Sequence, residues 1–424
     1  MPKKKEKKTK ETIFVQIASY RDPELLPTIR DMLDKADCPD CLVIGIAWQH
    51  KKEDSWDNLD EYTDDKRFKI IDIDYKAAKG VCWARNAVQS LYQDEDYTLQ
   101  LDSHHRFAQG WDTMLKNQIK GLQKSGHKKP LITGYIPSYD PENDPEGRVN
   151  IPWKMNFDRF IPEGAVFFLP AAFDPHDDKT KPLPSRFYSA HFAFSVGSFA
   201  KEVRHDPNMY FHGEEISIAA RAFTHGYDLF HPHEVICWHE YTRKGRTKHW
   251  DDHTNWYIAN TSSHSRNRKL FGMDNEDQDI DFGEYGFGKE RSLLDYEKYA
   301  GLSFKRRAIA PQTKDKIAPN INNKVSDEEF YGSLLTIFKH CIDISFKQVP
   351  LDDYDFWCVA FKDSEGNDIY RRDADENEIK RMKTDPDGYC KVWREFQTEK
   401  KPDSWLVWPH SKSMGWSSPI TGLL

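Results

Sequence analysis

The sequence lacks the features that mark membrane-spanning and secreted chains. No apolar run approaches the roughly 18 to 20 residues needed to span a bilayer, and the lysine-rich start is not followed by the apolar stretch of a signal peptide. Seven cysteines, an odd number in 424 residues, do not form the disulfide framework of a secreted protein. Cys38 and Cys41 have a CxxC spacing, but no second CxxC accompanies them, so we interpret them as ordinary thiols. These absences favour a cytoplasmic protein without a membrane partner.

A charge excess of one sign and the common phosphate-binding motifs are also missing. The formal net charge of −8 comes from 61 basic and 69 acidic residues, which argues against a general nucleic-acid binder held by long-range attraction. Neither a P-loop nor a GxGxxG run occurs, and this weakens kinase and dinucleotide-dependent interpretations. Internal repeats are absent as well.

The sequence does contain enough apolar material for two cores. Hydrophobic residues make up 38% of the chain and aromatic residues 13%, and the length suggests one large domain and a smaller one. Residues 1–11, which are rich in lysine, are predicted to be a disordered basic tail. We predict a main domain over residues 12–320 and a β-rich accessory domain over 321–424, where a hairpin turn at Gly366 separates two apolar runs.

Apolar strand patterns and helical patterns alternate in the first hundred residues. Strands are predicted over 12–18, 41–48, 68–74 and 97–102, and helices over 24–35 and 81–92. This alternation predicts an α/β fold with a mainly parallel sheet, whose ligands bind beside the carboxyl ends of the strands. The proline-rich residues 137–184 are predicted to form acceptor-side loops rather than sheet, and residues 214–224 to form a helix.

The sharpest chemical pattern is an apolar strand that runs into Asp102, Ser103 and His104. Side chains two apart in an extended backbone point to the same side, so the carboxylate and the imidazole can meet on one cation. Mixed oxygen and nitrogen ligation suits Mn²⁺. Taken alone, an Asp and a His at a strand end more often cap neighbouring backbone groups, but their place after a β-α-β region favours a metal site.

A further ligand for this cation is predicted in the strand-like run of residues 230–241. The run ends near His239, which could supply the remaining protein ligand, and His231 and His233 compete for that role. A lone histidine in an apolar run is more often a buried core residue. The prediction of His239 therefore depends on the other motifs being present.

Two acidic residues and two arginines complete the candidate site. Glu214 and Glu215 open a predicted helix, where acids stabilise the amino end, but a carboxylate there could also bind substrate hydroxyls or lie beside an attacking oxygen. We therefore predict both as catalytic residues. Arg85, near a helix start, and Arg21, in the first loop, are candidate diphosphate ligands, although a plain surface position is about as compatible with either.

In their order along the chain, these motifs resemble the cytoplasmic Skp1-type polypeptide N-acetylglucosaminyltransferases. The resemblance covers about residues 12 to 270, and the matching stretches are Ile13–Asp22, Gly80–Asn86, Gln100–Phe107, Gly110–Asp112, Gly213–Ile216 with Arg221, and Thr224–Asp228. It implies a GT-A nucleotide-sugar-binding fold, a UDP-sugar donor that is commonly UDP-GlcNAc, and retention of anomeric configuration. It also implies a divalent metal, Mn²⁺ or Mg²⁺, held through Asp102 and His104.

The resemblance further implies transfer to a protein hydroxyl such as that of hydroxyproline, serine or threonine. We therefore predict a metal-dependent retaining glycosyltransferase. Its predicted nucleotide-sugar-binding residues are Ser19, Tyr20, Arg21, Arg85, Asp102 and Ser103, and its predicted metal ligands are Asp102, His104 and His239. Residues after 320 fall outside the resemblance.

Two other functions stay open at this point. One is a glycosyltransferase that modifies nucleic acid or a glycan, for which the basic runs at residues 243–248 and 266–269 offer some support. The other is a sugar-binding module that has lost catalysis and binds through its aromatic-rich end. The intact pair of Asp102 and His104 speaks against this second alternative.

Overall fold

The computed structural model describes residues 10–161, 163–242, 244–275, 280–322, 324–398 and 400–424. Most of the predicted basic tail, residues 1–9, and position 243 of one basic run lie outside the described residues. The strands are β1 Ile13–Tyr20, β2 Leu42–His50, β3 Phe68–Asp74, β4 Tyr97–Leu101, β5 His105–Phe107, β6 Pro130–Thr133, β7 Trp153–Phe160, β8 Val166–Ala172, β9 Leu183–Pro184, β10 Phe192–Val196, β11 Asp228–His231, β12 Cys237–His239, β13 Leu302–Ser303, β14 Ala308–Ile309, β15 Ile337–Ser345, β16 Tyr354–Lys362, β17 Asp368–Arg371, β18 Ala374–Asp375, β19 Tyr389–Gln397, β20 Ser404–Ser411, β21 Gly415–Trp416 and β22 Ile420–Leu423. The helices are α1 Leu25–Lys35, α2 Val81–Gln89, α3 Trp111–Lys124, α4 Phe199–Glu202, α5 Glu214–Thr224, α6 His249–Asp252, α7 Trp256–Phe271, α8 Leu293–Ala300, α9 Pro311–Lys314, α10 Asp327–Ser333 and α11 Glu376–Met382.

An eight-stranded mixed sheet has the order β3-β2-β1-β4-β10-β6-β11-β9. Strand β1 pairs in parallel with both β2 and β4, and β2 pairs in parallel with β3. Strand β10 runs antiparallel to its neighbours β4 and β6. The α/β prediction is confirmed, and the predicted strands and helices of the first hundred residues are present with small differences at their ends.

Burial on both faces explains why β1 is almost continuously apolar. On one face Val15 packs in a cluster that includes Ile29 of α1, and on the other Phe14 packs with Val88 of α2. All four side chains are fully buried. A strand covered by helices on both faces needs apolar residues at successive positions rather than at alternate ones, so this pattern places β1 in the middle of the fold.

Residues 137–184 contain sheet, so the prediction of loops alone is wrong there. Strands β7 and β8 form an antiparallel pair with a bulge between Phe157 and Arg159. Pro170 lies within β8 opposite Met155. A two-stranded ribbon has open edges, where proline can be accommodated without breaking a ladder on both sides. Strand β9, which ends at Pro184, joins the edge of the eight-stranded sheet, so the prolines of this segment did not exclude strands.

Cys38 and Cys41 form a disulfide, which corrects the prediction of two thiols. The chain between them makes a 3₁₀ turn at Pro39–Cys41, in which the amide of Cys41 donates to the carbonyl of Cys38. This turn brings the two Cα atoms to 5.4 Å, within the usual range for a disulfide. The CxxC spacing is therefore closed locally by the turn.

The chain divides into two compact units, Met1–Lys305 with Gln312–Ser326, and Arg306–Pro311 with Asp327–Leu424. The second unit is rich in strands, with β15 paired to β19 and β16 paired to β17, β18 and β20. Its core includes the buried Trp357, Val392 and Val407. The predicted hairpin is present, with Gly366 at a φ of 84° between β16 and β17. Within the described ranges, no helix combines the length and the apolar character needed to traverse a bilayer.

Candidate active site

The loops that follow β1 and β4 lie at the same edge of the sheet. Because these strands are parallel neighbours, the residues after Tyr20 and after Leu101 emerge side by side. A cavity of about 200 Å³ opens at this edge, and its lining includes Tyr20, Asp22, Asp102, His104, His239 and Arg246. The cavity therefore lies where a parallel sheet ordinarily binds its ligand.

The three predicted metal ligands, Asp102, His104 and His239, converge at this cavity. Asp102 Oδ2 lies 3.7 Å from His104 Nε2 and 3.4 Å from His239 Nε2. One ligand atom from each residue falls within 4.8 Å of the others. Asp102 and His104 lie in the bend between β4 and β5, so a turn brings them together rather than the extended strand that we expected.

His239 reaches the site through the pairing of β12 with β5, which places it opposite His105. Its two sequence competitors are placed elsewhere. His231 Nδ1 lies 3.2 Å from the carbonyl of Thr133, and His233 Nε2 lies 3.8 Å from Glu234. The structure thus brings His239, and neither competitor, to Asp102 and His104.

Arg85 holds Asp102 from the side away from the histidines. Its guanidinium is buried, with Nη2 at 2.7 Å from Asp102 Oδ1 and Nη1 at 2.7 Å from Glu214 Oε1. Burial would raise the pKa of Asp102, but the charge of Arg85 and the hydrogen bond from His239 keep it well below its ordinary value. Asp102 therefore presents a carboxylate anion to the cavity.

Burial keeps the neighbouring imidazoles neutral. It lowers the pKa of His239, His105 and His191 well below the ordinary histidine value. The ring of His191 stacks on that of His239 with centroids 4.3 Å apart. Neutral imidazole is the form with a lone pair available for a metal, so this histidine cluster is in the state that a metal site requires.

Asp22 and Arg246 are site residues that the sequence analysis did not identify. Asp22 Oδ2 lies 2.7 Å from His104 Nδ1 and 3.2 Å from Arg246 Nη1. Burial raises the pKa of Asp22, but His104, Arg246 and Ser103 outweigh this effect and lower it to about 2. The polar run after β1 was a signal for Asp22, whereas Arg246 lies in a basic run that we connected with nucleic acid.

The predicted nucleotide-sugar-binding residues fall into two groups. Tyr20, Asp102 and Ser103 line the cavity, although the hydroxyl of Tyr20 donates to Asp252 at 2.8 Å. Ser19, Arg21 and Arg85 do not belong to the lining. Ser19 is fully buried, and Arg21 pairs with Asp54 and with Asp252, each at 2.8 Å. The first group therefore borders the cavity, and the second group does not.

The predicted catalytic pair, Glu214 and Glu215, opens α5 as expected but does not line the cavity. Glu214 is buried, with Oε2 at 2.7 Å from the thiol of Cys82 and Oε1 on Arg85. Glu215 accepts hydrogen bonds from the amide of Ala190 at 2.9 Å and from the hydroxyl of Tyr135 at 3.3 Å. Burial raises the pKa of Glu215 to about 8, and the charge of Glu214 adds to the increase.

Comparison with known families decides the class of protein. The model of the family described as Glycosyltransferase (GlcNAc) matches residues 12–69 and 57–306, more than half of the chain. The chain belongs to this glycosyltransferase family. The match includes every residue of the cavity cluster, and it confirms the predicted enzyme class over the non-catalytic sugar-binding module. No curated protein sequence matches the chain significantly.

Solved structures of other glycosyltransferases resemble the chain at low identity. A crystal structure of GalNAc-T7 with UDP, GalNAc and Mn²⁺ has 15% identity and a TM-score of 0.47 over 68% of this chain and 55% of that one. The mannosyltransferase PcManGT from Pyrobaculum calidifontis, in complex with GDP-Man and Mn²⁺, has 11% identity and a TM-score of 0.39 over 70% and 72%. S. aureus TarS 1–349 has 9% identity and a TM-score of 0.38 over 72% and 83%.

The family and the sheet together define a GT-A glycosyltransferase. The mixed sheet with flanking helices has the expected GT-A arrangement, and small β-rich sheets follow it in the chain. The cavity of this GlcNAc-family glycosyltransferase lies at the carboxyl edge of the sheet, where such sheets bind their ligands.

Proposed function

We propose that this enzyme transfers GlcNAc from UDP-GlcNAc to a hydroxyl of a protein, with Mn²⁺ or Mg²⁺ as cofactor and with retention of configuration. The convergence of Asp102, His104 and His239 beside the cavity carries the proposal. Hydrophobic packing alone does not bring an ionised carboxylate and two imidazoles from separate segments together. Their meeting at the ligand-binding edge of the sheet is explained by a shared cation.

The side chains of the cluster suit a divalent metal ion that binds both oxygen and nitrogen ligands. One carboxylate oxygen and two imidazole nitrogens form a mixed donor set that suits Mn²⁺ better than a purely oxygen-seeking ion. When bound, the ion would neutralise the negative charge that develops on the departing diphosphate. Asp102, His104 and His239 would hold it, and Arg85 would keep Asp102 ionised and correctly oriented.

Basic residues of one loop supply further positive charge for the diphosphate. Arg246 and Lys248 both line the cavity, and Arg246 Nη2 lies 2.7 Å from Glu240. Guanidinium and ammonium groups bind phosphate oxygens through charge-assisted hydrogen bonds. The last residue of β12 would therefore provide a metal ligand, and the loop that follows would provide cations that orient the donor.

The carboxylates around the cavity bear on the mechanism by which configuration would be retained. Those that line it, Asp22, Asp102 and Glu240, are each paired with a basic side chain. A covalent glycosyl intermediate needs a carboxylate that is free to attack the anomeric carbon. Attack by the acceptor hydroxyl on the face from which the diphosphate leaves accounts for retention without that intermediate.

A protein acceptor is favoured by the surface beside the cavity. Trp250 lines the cavity, and the nearby start of α7 exposes Trp256, Tyr257 and Ile258. An exposed apolar group rimmed by polar residues is typical of protein contacts. Two of the basic residues considered for nucleic acid form ion pairs, Lys244 with Glu142 at 2.8 Å and Arg266 with Asp206 at 2.5 Å.

Release of UDP tests the proposal directly. The purified chain is incubated with a panel of UDP-sugars and either Mn²⁺ or EDTA, and free UDP is measured with and without peptides that contain hydroxyproline, serine or threonine. We expect Mn²⁺-dependent release from UDP-GlcNAc that an acceptor peptide stimulates, and loss of this activity in Asp102→Ala. Undiminished release in EDTA would contradict metal dependence, and preference for another donor would contradict the sugar assignment. Transfer to single-stranded DNA that moderate salt abolishes would instead favour a nucleic-acid acceptor.

A further inference from the structure

The carboxylate of Asp22 contacts His104, a proposed metal ligand, on the side of its ring away from the proposed cation. Its Oδ2 lies 2.7 Å from His104 Nδ1, while His104 Nε2 faces Asp102 Oδ2 at 3.7 Å. Nδ1 of the imidazole therefore contacts a buried carboxylate, and Nε2 faces the cavity. Asp22 is only 4% exposed, so the hydrogen bond is shielded from water.

Both oxygens of Asp22 are fixed by donors from separate parts of the chain. Oδ1 accepts from the amide of Glu24 at 2.9 Å, just before α1 begins. Oδ2 accepts from the hydroxyl of Ser103 at 2.6 Å in addition to its contact with His104. This carboxylate therefore has a single orientation, and the imidazole that it contacts is oriented with it.

Asp22 and Arg246 both contact Nδ1 of His104, and they favour different positions of the ring proton. Arg246 Nη1 also contacts His104 Nδ1, and it lies 3.2 Å from Asp22 Oδ2. A guanidinium has only donors, so it can bond Nδ1 only if that nitrogen carries no proton. Asp22 is the one acceptor in this group, and it can receive both the Nδ1 proton and a guanidinium proton. The arrangement in which all donors are satisfied therefore protonates Nδ1 and leaves Nε2 with its lone pair.

We propose that Asp22 is a positioning residue of the metal site, which accepts the Nδ1 proton of His104 and so presents Nε2 to the cation. This inference rests on the proposed metal dependence. Histidines that bind metals commonly donate their other nitrogen to a carboxylate, which fixes the tautomer and raises the basicity of the ligating nitrogen. Asp22 would link the loop after β1 to the cation, through a contact between residues that are 82 positions apart in the sequence.

The decisive variant is Asp22→Asn, with Mn²⁺ binding measured on the full chain by the electron paramagnetic resonance signal of free Mn²⁺. Because both oxygens of Asp22 accept hydrogen bonds, an amide there must direct its NH₂ at a donor. We expect the Kd for Mn²⁺ to rise about 10- to 100-fold. The matched control is Asp228→Asn, since Asp228 Oδ2 lies 2.7 Å from His127 Nδ1 and the residue is not in the cavity lining. The control should bind Mn²⁺ like the wild type.

The outcomes separate this inference from the proposed function. If the wild type binds Mn²⁺ and Asp22→Asn binds it equally well, the role of Asp22 is refuted and the metal site stands. If the wild type binds no Mn²⁺ even with UDP, both are refuted.

A second measurement does not depend on the folding of the Asp22 variant. Long-range ¹H–¹⁵N NMR of wild-type protein labelled in histidine locates the proton on each ring, and the His104 signals are assigned by their loss in His104→Gln. We expect the proton of neutral His104 on Nδ1. A proton on Nε2, with Nδ1 accepting from Arg246, would overturn the proposal.

Discussion

Among the described residues of this enzyme, two clusters have the residue types of a metal site, and we expect only one of them to bind an ion. Asp102, His104 and His239 meet at the cavity, whereas Cys82, His205 and Glu214 meet where all three are buried. Both groups bring their ligand atoms within 4.8 Å. Residue type and proximity therefore do not distinguish them, and the difference lies in what surrounds each atom.

In the buried cluster, the negative charge of Glu214 is already neutralised by Arg85. Glu214 has one oxygen on Arg85 and the other on the thiol of Cys82. Burial raises the pKa of Cys82 well above its ordinary value, so the sulfur keeps its proton in the absence of an ion. In the cavity cluster, by contrast, Asp22 and Arg85 hold the ligands from behind and leave their other atoms toward the cavity.

Arg85 connects the two clusters, so its loss should have the largest effect. In Arg85→Met the buried Glu214 and the partly exposed Asp102 lose their shared buried cation, and we expect the free energy of unfolding to fall by about 3–5 kcal/mol. Glycosyl transfer should be lost as well, because Asp102 is no longer oriented. Urea unfolding and UDP release measure the two effects.

The exposed pair of Arg30 and Glu61, also at 2.8 Å, provides the control for Arg85. Arg30→Met should leave both stability and activity close to those of the wild type, since water screens a surface ion pair. If Arg85→Met were equally mild, the two clusters would not share a structural support.

The next largest effect is on the affinity for Mn²⁺, which should respond to a change in the cavity cluster and not to a change in the buried cluster. His239→Ala removes a proposed ligand, and we expect the Kd for Mn²⁺ to rise by more than the roughly 100-fold that marks the upper range for outer partners. Cys82→Ser keeps a donor for Glu214 and should leave Mn²⁺ binding unchanged. Isothermal titration with MnCl₂ gives both constants. A loss of Mn²⁺ affinity in Cys82→Ser alone would show that the buried cluster holds the ion.

Much of the fold follows from local patterns, but the environment of the site does not. Apolar runs predict β1 and β4, and the alternation with helices predicts that their ends meet. Arg85 was predicted to contact the diphosphate because it lies near a helix start, yet its partners are Asp102 and Glu214, the latter 129 positions away. Ion pairs between distant segments depend on packing that no local pattern contains, and the same holds for Arg246 with Asp22.

A pH-dependent effect on stability is expected at Glu215, which follows Glu214 in α5 and accepts hydrogen bonds from two uncharged donors, the amide of Ala190 and the hydroxyl of Tyr135. Its pKa is raised from 4.5 to about 8 by burial and by Glu214, so the folded state holds a proton that the unfolded state releases between these values. Stability should therefore fall as the pH rises from about 4.5 to 8, by at most about 1.4 kcal/mol per pH unit from this group.

Substitution of Glu215 by glutamine tests this pH dependence. Glu215→Gln has no proton to lose, so its stability relative to the wild type should increase over the same pH range. Urea unfolding at several pH values measures the difference. A difference that stays constant from pH 5 to 8 would show that Glu215 titrates normally.

The most direct test of the central claim is a crystal structure with UDP and Mn²⁺, with anomalous diffraction collected at the manganese edge. We expect one strong anomalous peak that Asp102, His104 and His239 coordinate together with diphosphate oxygens. A peak at Cys82, His205 and Glu214, or bound UDP with no peak at the cavity cluster, would contradict it.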